Sequence, residues 1–283
     1  IVGAPGSGKS TLARALAGLD PLDEGAIYLD DQLVHREPPK TRGIGLIVGD
    51  GALWPRLTVA ENVGFGLKVR GEPREDRRRK VAEALSLTRV ESLAHALPGE
   101  LSEVQRRRVA LARALVLEPR VLVLDDPLPL SIADRPAFRD ELRQLQGERG
   151  LTLVAMLDDP ADTLLLADGV IVLELGRVVQ KGSAQAVYNH PVQPYVAKLL
   201  GEVNLLRGIV EATDPRGEVT VQTPLGRLVG FAPGGAMSVG QPVSVMIRPE
   251  ALVVGANVAS WPNRLTMTID QLVFEGPVRR LLL

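Results

Sequence analysis

Gly3-Ala4-Pro5-Gly6-Ser7-Gly8-Lys9-Ser10-Thr11 decides how this chain is read. It fits G-x-x-x-x-G-K-[ST], the pattern of a phosphate-cradling loop. Gly3, Gly6 and Gly8 let backbone N–H groups turn inward around a triphosphate, because glycine takes up the required dihedrals at little cost. Ser7 and Thr11 belong to the same cradle. Lys9 is expected to reach the β- and γ-phosphates, and the Ser10 hydroxyl to ligate Mg²⁺. A helix is predicted from Lys9 to about Ala17, with Leu12, Leu16 and Leu19 as its apolar positions. Its N-terminal dipole would face the same anion.

Such a loop ordinarily follows a full β-strand, and only Ile1-Val2 precede it here. The sequence therefore reads as shortened at its N-terminus, with an early strand or subdomain expected upstream. With 283 residues there is room for one large or two modest domains. A hydrophobic fraction of 45% is enough for a real core, carried by Ala, Leu and Val because aromatics are only 3%. The net charge of −1 lacks the basic excess of a dedicated nucleic-acid binder, so no nucleic-acid partner is expected. Cysteine is absent, which excludes disulfides and thiolate metal sites. No apolar run reaches the ~18–20 residues of a membrane span.

Downstream of the loop, Glu24 to Val34 reads as two short strands around Asp30-Asp31. Ile44 to Val48 is a short buried strand, followed by a turn-rich segment from Gly49 to Pro55. Thr58 and Glu61 form a capping box opening a helix to about Val69. Pro73 to Leu87 is a second helix, whose Arg77-Arg78-Arg79-Lys80 run is read as a solvated face. Leu101-Ser102 opens a third, through Leu115. The apolar run Arg120 to Leu124 ends in Asp125-Asp126, as suits a parallel strand buried on both faces. A helix from Pro136 to Gln146, a strand from Leu151 to Met156, a short helix from Asp162 to Leu166 and a hairpin (Gly169–Glu174, Arg177–Gln180) complete an α/β pattern with a largely parallel sheet. After Pro191 to Gly201 the signals become short strands with Gly and Pro turns: Leu206–Ala212, Glu218–Gln222, Arg227–Phe231, Pro242–Ile247 and Thr266–Phe274. They read as an all-β module cut at Leu283.

Asp125, at the carboxyl end of a buried strand, is expected to face the loop and ligate Mg²⁺ with Ser10. The segments Arg42 to Val48, Ala52 to Val63, Leu101-Ser102 with Gln105 to Leu115, and Leu124 to Pro127 follow the loop in a recognisable order. Through them the chain resembles the ATP-binding subunits of ABC importers. Val187 to Pro191, Gly201 to Leu206 and Val245-Met246-Ile247-Arg248-Pro249-Glu250 resemble the importers whose ATP-binding subunit ends in a small β-barrel domain of the TOBE type. The resemblance implies an ABC-type P-loop domain over residues 1–200, with a helical subdomain at about 58–118. A TOBE-like (OB) β domain would occupy 201–283. It implies ATP and Mg²⁺ as ligands. It implies a head-to-tail pairing with a second ATP-binding subunit, in which Ser102 serves the partner's nucleotide. Transmembrane permease subunits would dock near Trp54 to Asn62, and the chain would sit peripherally on the cytoplasmic face of the membrane.

Departures from the family pattern fall on catalytic positions. The Q-loop Gln aligns with Gly49. The signature Leu-Ser-Gly-Gly-Gln reads Leu101-Ser102-Glu103-Val104-Gln105, so a carboxylate stands where N–H groups should meet the partner's γ-phosphate. Ser102 and Gln105 form a capping box that satisfies the helix end internally. The general-base Glu is Asp126, a shorter candidate base. The D-loop Asp aligns with Ile132, after Pro129-Leu130-Ser131, and the switch His with Asp158. The three histidines, His35, His95 and His190, lie elsewhere. These substitutions imply an ATP–Mg²⁺ binder with slow or absent hydrolysis as a homodimer. The alternative is a non-hydrolysing pseudo-ATPase that is a structural or regulatory partner of an intact paralogue. A soluble P-loop kinase is a third reading, which leaves the Gln105–Leu115 helix and the β module unexplained.

Overall fold

The computed structural model describes residues 1–49, 51–128, 131–232, 237–253, 255, 261–275 and 278–282, with backbone only for 274–275 and 278–282. The helix α1 (Lys9–Ala17) leaves the glycine-rich loop and ends at Gly18 in the left-handed conformation. Strands β1 (Tyr28–Leu29) and β2 (Gln32–Leu33) pair around Asp30-Asp31, both at positive φ, as a tight hairpin turn demands. Next comes β3 (Ile44–Val48), then three helices: α2 (Val59–Val69), α3 (Arg74–Leu87) and α4 (Glu103–Leu115). Strand β4 (Val121–Asp125), helix α5 (Arg135–Arg149), strand β5 (Thr152–Met156) and helix α6 (Pro160–Leu166) lead to the hairpin β6 (Gly169–Glu174) and β7 (Arg177–Ser183).

The parallel sheet runs in the order β3-β4-β5, with Val48 and Met156 in register beside Asp125. Its residues alternate between two cores. Leu122 and Leu124 pack with Ile47, Leu111, Phe138 and Leu142, under α4 and α5. Val121, Val123, Ile44 and Met156 pack with Leu12, Ala13 and Leu16 of α1 on the other face. Both faces are covered, so β4 is apolar at every position until the sheet edge, where the carboxylate begins. Val2 bridges in parallel to both Leu157 and Val172. Ile1-Val2 thus takes the strand position in front of the loop, between the end of β5 and β6.

In α1 the buried positions are Ala13, Ala15 and Ala17, whereas Leu19 is exposed, contrary to the expected apolar stripe. Small side chains let this helix lie close on the sheet, and Leu19 falls past the Gly18 cap. Helices α2, α3 and α4 share their own core of Val59, Val63, Leu67, Val81, Leu85 and Val109. Fully buried Asn62 accepts from Trp54 N (2.8 Å) and donates to the carbonyls of Trp54, Leu57 and Thr58, which fixes the segment entering α2. The basic run of α3 is tied to nearby acids, Arg79 to Glu83 (2.9 Å) and Lys80 to Glu72 (3.0 Å). Helix α5 runs beyond the predicted Gln146 to a left-handed Gly150 cap. Helix α6 begins before the predicted Asp162: Asp159 is its N-cap, accepting from Asp162 N, and Pro160 occupies the first turn.

The chain divides into two compact units, Ile1–Val187 and Tyr188–Leu283. Helix α7 (Ala184–Asn189) crosses that boundary, and α8 (Pro194–Leu199) lies in the second unit. There β8 (Asn204–Thr213), β9 (Glu218–Thr223), β10 (Gly226–Phe231) and β11 (Pro242–Ile247) form an antiparallel sheet in the order β10-β9-β8-β11, whose Val210, Val219 and Val221 form a buried cluster. Strand β12 (Gln271–Glu275) pairs with β13 (Val278–Leu282). The expected strand from Thr266 starts only at Gln271, where the ladder with β13 begins; the alternation in 266–270 has no partner strand among the described residues. Leu283, the expected cut end of the module, lies outside the described residues.

Candidate nucleotide site

The glycine-rich loop is held from behind by the β6–β7 hairpin. A Cβ on Gly3 would stand 2.4 Å from Leu173 O and 2.5 Å from Ser7 Oγ, so no side chain fits there. Gly8 has φ +100 and serves as the N-cap of α1. Buried Ser7 donates from its N–H to Ala4 O (3.0 Å), and its own carbonyl accepts from Gly176 N at the hairpin turn (3.0 Å). The first bond inside the helix runs from Leu12 N to Gly8 O (2.9 Å), which leaves the N–H groups of the first turn facing outward along the axis. No acid lies in that turn to oppose an anion. The loop opens on a cleft of about 270 Å³ lined by Pro5, Gly6, Gly8, Lys9, Ser10, Thr11, Asp125, Asp126, Met156 and Asp158.

Residues distant in sequence converge on this cleft. The Ser10 hydroxyl donates to Asp125 Oδ1 (3.1 Å) across the gap between helix and strand. That pairing of hydroxyl and strand-end carboxylate suits a hard, oxygen-loving cation such as Mg²⁺. Lys9 Nζ is folded onto the loop, donating to Gly3 O (2.6 Å), Ala4 O (3.1 Å) and Ser7 Oγ (3.4 Å), and it pairs with Asp158 Oδ1 at 3.0 Å. Asp126 comes next along the chain at φ +54, a costly conformation outside glycine. It is held by its N–H to Met156 O (3.2 Å) and by Arg107 donating to its carbonyl (3.0 Å). Desolvation raises the Asp126 carboxyl above its ordinary value; Arg107 and Arg135 oppose that shift, and Asp158 and Asp125 add to it. A carboxylate so placed is a stronger base than a free aspartate.

Helix α4 carries the signature position. Ser102 and Gln105 form the predicted reciprocal cap, Gln105 N to Ser102 Oγ (3.3 Å) and Ser102 N to Gln105 Oε1 (2.8 Å). Ser102 does not line the loop's cleft. Glu103, expected to present its charge to a partner's phosphate, is instead turned back along its own helix. Buried Arg107 takes its carboxylate through Nη2 (3.0 Å) and Nε (3.2 Å), and donates Nη1 to Gly49 O (2.8 Å). Arg107 therefore clasps helix α4, Gly49 and Asp126 together. No sequence motif marks Arg107, although the i,i+4 spacing of Glu103 and Arg107 is a usable signal. Ile132 is exposed; Pro129 and Leu130 of the same expected motif lie outside the described residues. Trp54 stacks near Phe65 (4.4 Å) and under Arg113 (4.9 Å), partly exposed.

A parallel sheet covered on both faces, a glycine-rich loop running into a helix, and an aspartate at the adjoining strand end define a P-loop nucleotide-binding fold. Residues 1–129 match the family model described as "ABC transporter". The chain is 34% identical over 284 residues to the spermidine/putrescine import ATP-binding protein PotA of Nitratidesulfovibrio vulgaris, covering 98% of this chain and 76% of that protein. It is 38% identical over 280 residues to the Fe(3+) ions import ATP-binding protein FbpC of Streptomyces avermitilis, again covering 98% and 76%. Among solved structures it is similar to the ATP-binding cassette MJ0796 in a dimeric post-hydrolysis state bound to ADP and Pi. That match has TM-score 0.58 and 30% identity, over 65% of this chain and 83% of that one. The chain belongs to the ABC transporter family.

Proposed function

We propose that this chain is the ATP-binding subunit of an ABC importer for a small polar or ionic solute, with hydrolysis slowed by its substituted catalytic positions. The observation that carries the nucleotide site is the Ser10–Asp125 contact at the mouth of the loop. In this reading Gly3, Gly6, Ser7, Gly8, Lys9 and Thr11 hold the phosphates of ATP, and Ser10 and Asp125 hold Mg²⁺. The cleft fits that ligand at its phosphate end: open N–H groups, one ammonium, a hydroxyl and a strand-end carboxylate. Bound Mg²⁺ would polarise the terminal phosphoryl group. Asp126, raised in basicity by desolvation, is the residue that would accept the proton of an attacking water. The import relatives, named for polyamines and Fe(3+), support a cargo of that general kind.

The partners proposed are a second ATP-binding subunit and transmembrane permease subunits. Among the described residues no helix is long and apolar enough to cross a membrane; the location proposed from the import relatives is peripheral, on the cytoplasmic face. Exposed Trp54, Phe65 and Val69 supply an apolar surface for a permease. Residues 1–200 are proposed as the ATP-binding domain, with the helical subdomain at 58–118, and 201–283 as a TOBE-like regulatory β domain. Slow turnover is supported by Gly49, Ile132 and Asp158 standing where the family has Gln, Asp and His, and by the shorter reach of Asp126; the Glu103 charge is taken up by Arg107.

The test is phosphate release and nucleotide binding by the purified chain with ATP–Mg²⁺, beside Lys9→Ala and Asp126→Glu. Expected are measurable binding abolished in Lys9→Ala, little release from the unaltered chain, and more release from Asp126→Glu. Release that is brisk in the unaltered chain and lost in Lys9→Ala would overturn the impaired reading. Failure to bind nucleotide at all would overturn the site.

A further inference from the structure

An extended continuation of β4 would send the side chains of Asp125 and Asp126 to opposite faces of the sheet. Both residues instead line the same cleft. The alternation breaks at Asp126, whose φ of +54 lies in the left-handed region. A residue other than glycine keeps that conformation only where its surroundings impose it. Its N–H donates to Met156 O (3.2 Å), and its carbonyl accepts from Arg107 Nη1 (3.0 Å). The same Nη1 donates to Gly49 O (2.8 Å), where the chain leaves β3, again at positive φ. Gly49 N in turn donates to Asp125 O (2.9 Å). One buried guanidinium therefore pins the ends of both strands.

We infer that Arg107 is the positioning residue for Asp126: it holds the turn that brings this carboxylate into the nucleotide cleft. This role rests on the reading of Asp126 as proton acceptor given above and deepens it. Arg107 does not itself line the cleft, so it acts through Asp126. Its Nε (3.2 Å) and Nη2 (3.0 Å) go to the Glu103 carboxylate. That pairing fixes the plane of the guanidinium and leaves both Nη1 hydrogens for the carbonyls of Gly49 and Asp126. Glu103 thus orients Arg107, and Arg107 orients Asp126. Lysine carries a point-like ammonium on a flexible stem and does not reproduce that fork. Arg107→Lys should therefore keep the buried charge and loosen the turn.

The experiment compares the unaltered chain with Arg107→Met and with Arg107→Lys, the second serving where the first fails to fold. The first readout is amide hydrogen exchange by NMR without nucleotide. Exchange at Gly49 and Asp126 is expected to quicken about tenfold or more, with Ser7 in the glycine-rich loop unchanged. The second is phosphate release with ATP–Mg²⁺, beside nucleotide Kd by calorimetry, in the Asp126→Glu chain. Release is expected to fall about 10–100-fold at unchanged Kd. Added to Asp126→Ala, the same substitutions should cause no further loss. Unchanged exchange at Gly49 and Asp126 would overturn the hold on the turn. Release that stays level while exchange quickens would overturn the positioning role. Release and affinity that fall together, or an equal fall in the Asp126→Ala chain, would overturn it as well, because Arg107 would then support the site as a whole. Release from Asp126→Glu no greater than from Lys9→Ala would remove the reading of residue 126 as the base, and the role of Arg107 with it.

Discussion

Replacing Arg107 by Met tests the clasp between helix α4 and the carboxyl edge of the sheet. The Arg107 side chain is 5% exposed and donates to Gly49 O, Asp126 O and the Glu103 carboxylate. Removing one partner of a buried ion pair costs about 3–5 kcal/mol, and a hydrogen bond to a charged group contributes about 1.5–3 kcal/mol. Glu103 is 26% exposed and can be rehydrated, and Met restores part of the buried methylene contact, so the lower end applies. The expected loss is about 3 kcal/mol. For a unit of this size that is a fall of about 6–12 °C in Tm. Scanning calorimetry of Arg107→Met, Glu103→Gln and the double variant measures it. Glu103→Gln alone should cost about 1 kcal/mol, and the double variant should fall short of additivity by about 1–2 kcal/mol. A loss for Arg107→Met below about 1 kcal/mol, or strict additivity, would refute the clasp as a stabilising element.

The same geometry dictates other outcomes. Gly3→Ala should abolish nucleotide binding in calorimetry, because its Cβ meets Leu173 O at 2.4 Å and the loop must move; retained affinity would show that the loop tolerates the shift. Leu67→Ala should cost about 2–5 kcal/mol in a thermal melt, since Leu67 is fully buried in the core of α2, α3 and α4. The Glu61 carboxyl is held below its usual value, first by the Thr58 N–H and then by the Thr58 hydroxyl. Its stabilising effect is therefore present above the ordinary Glu value, about 4.3, and fades as pH falls through the lowered one. The Tm gap between the unaltered chain and Glu61→Gln should accordingly narrow on acidification, and a gap independent of pH would exclude the ionic part of the cap. In the second unit, Arg248→Met should lower the melting temperature of that unit. Buried Arg248 donates to the carbonyls of Ala197 (2.9 Å), Glu202 (3.0 Å) and Tyr188 (3.2 Å) and stacks 4.1 Å from the Tyr188 ring.

Local chemistry is legible wherever one short stretch holds the whole cause. The Thr58 and Ser102 caps need only a hydroxyl and an acid or amide three residues on, and both form as expected. The apolar run ending in Asp125 marks a buried parallel strand, and its register beside Val48 and Met156 brings the carboxylate to the loop. The start of α6 is displaced because Asp159 caps the helix, accepting from Asp162 N, with Pro160 in the first turn. Asp162 is instead drawn inward by Arg139 (2.6 Å) and Arg135 (3.1 Å), a burial that no local pattern announces. Arg107 and the Lys9–Asp158 pair are hidden for a related reason. Their meaning lies in carbonyls and carboxylates that only the folded sheet edge gathers together.

The hydrogen bond from Gly176 to Ser7 joins the first turn of the chain to the last hairpin of the first unit. The parallel bridges of Val2 to Leu157 and Val172 have the same long reach. During synthesis the loop therefore lacks the Gly176 contact until the hairpin has left the ribosome. Contacts so far apart in sequence carry a large closure entropy and form late. A nascent chain arrested before β6 would hold the loop without the hairpin that backs Gly3 and Ser7. A ligand held by the loop would stabilise the chain most once the hairpin is in place behind it.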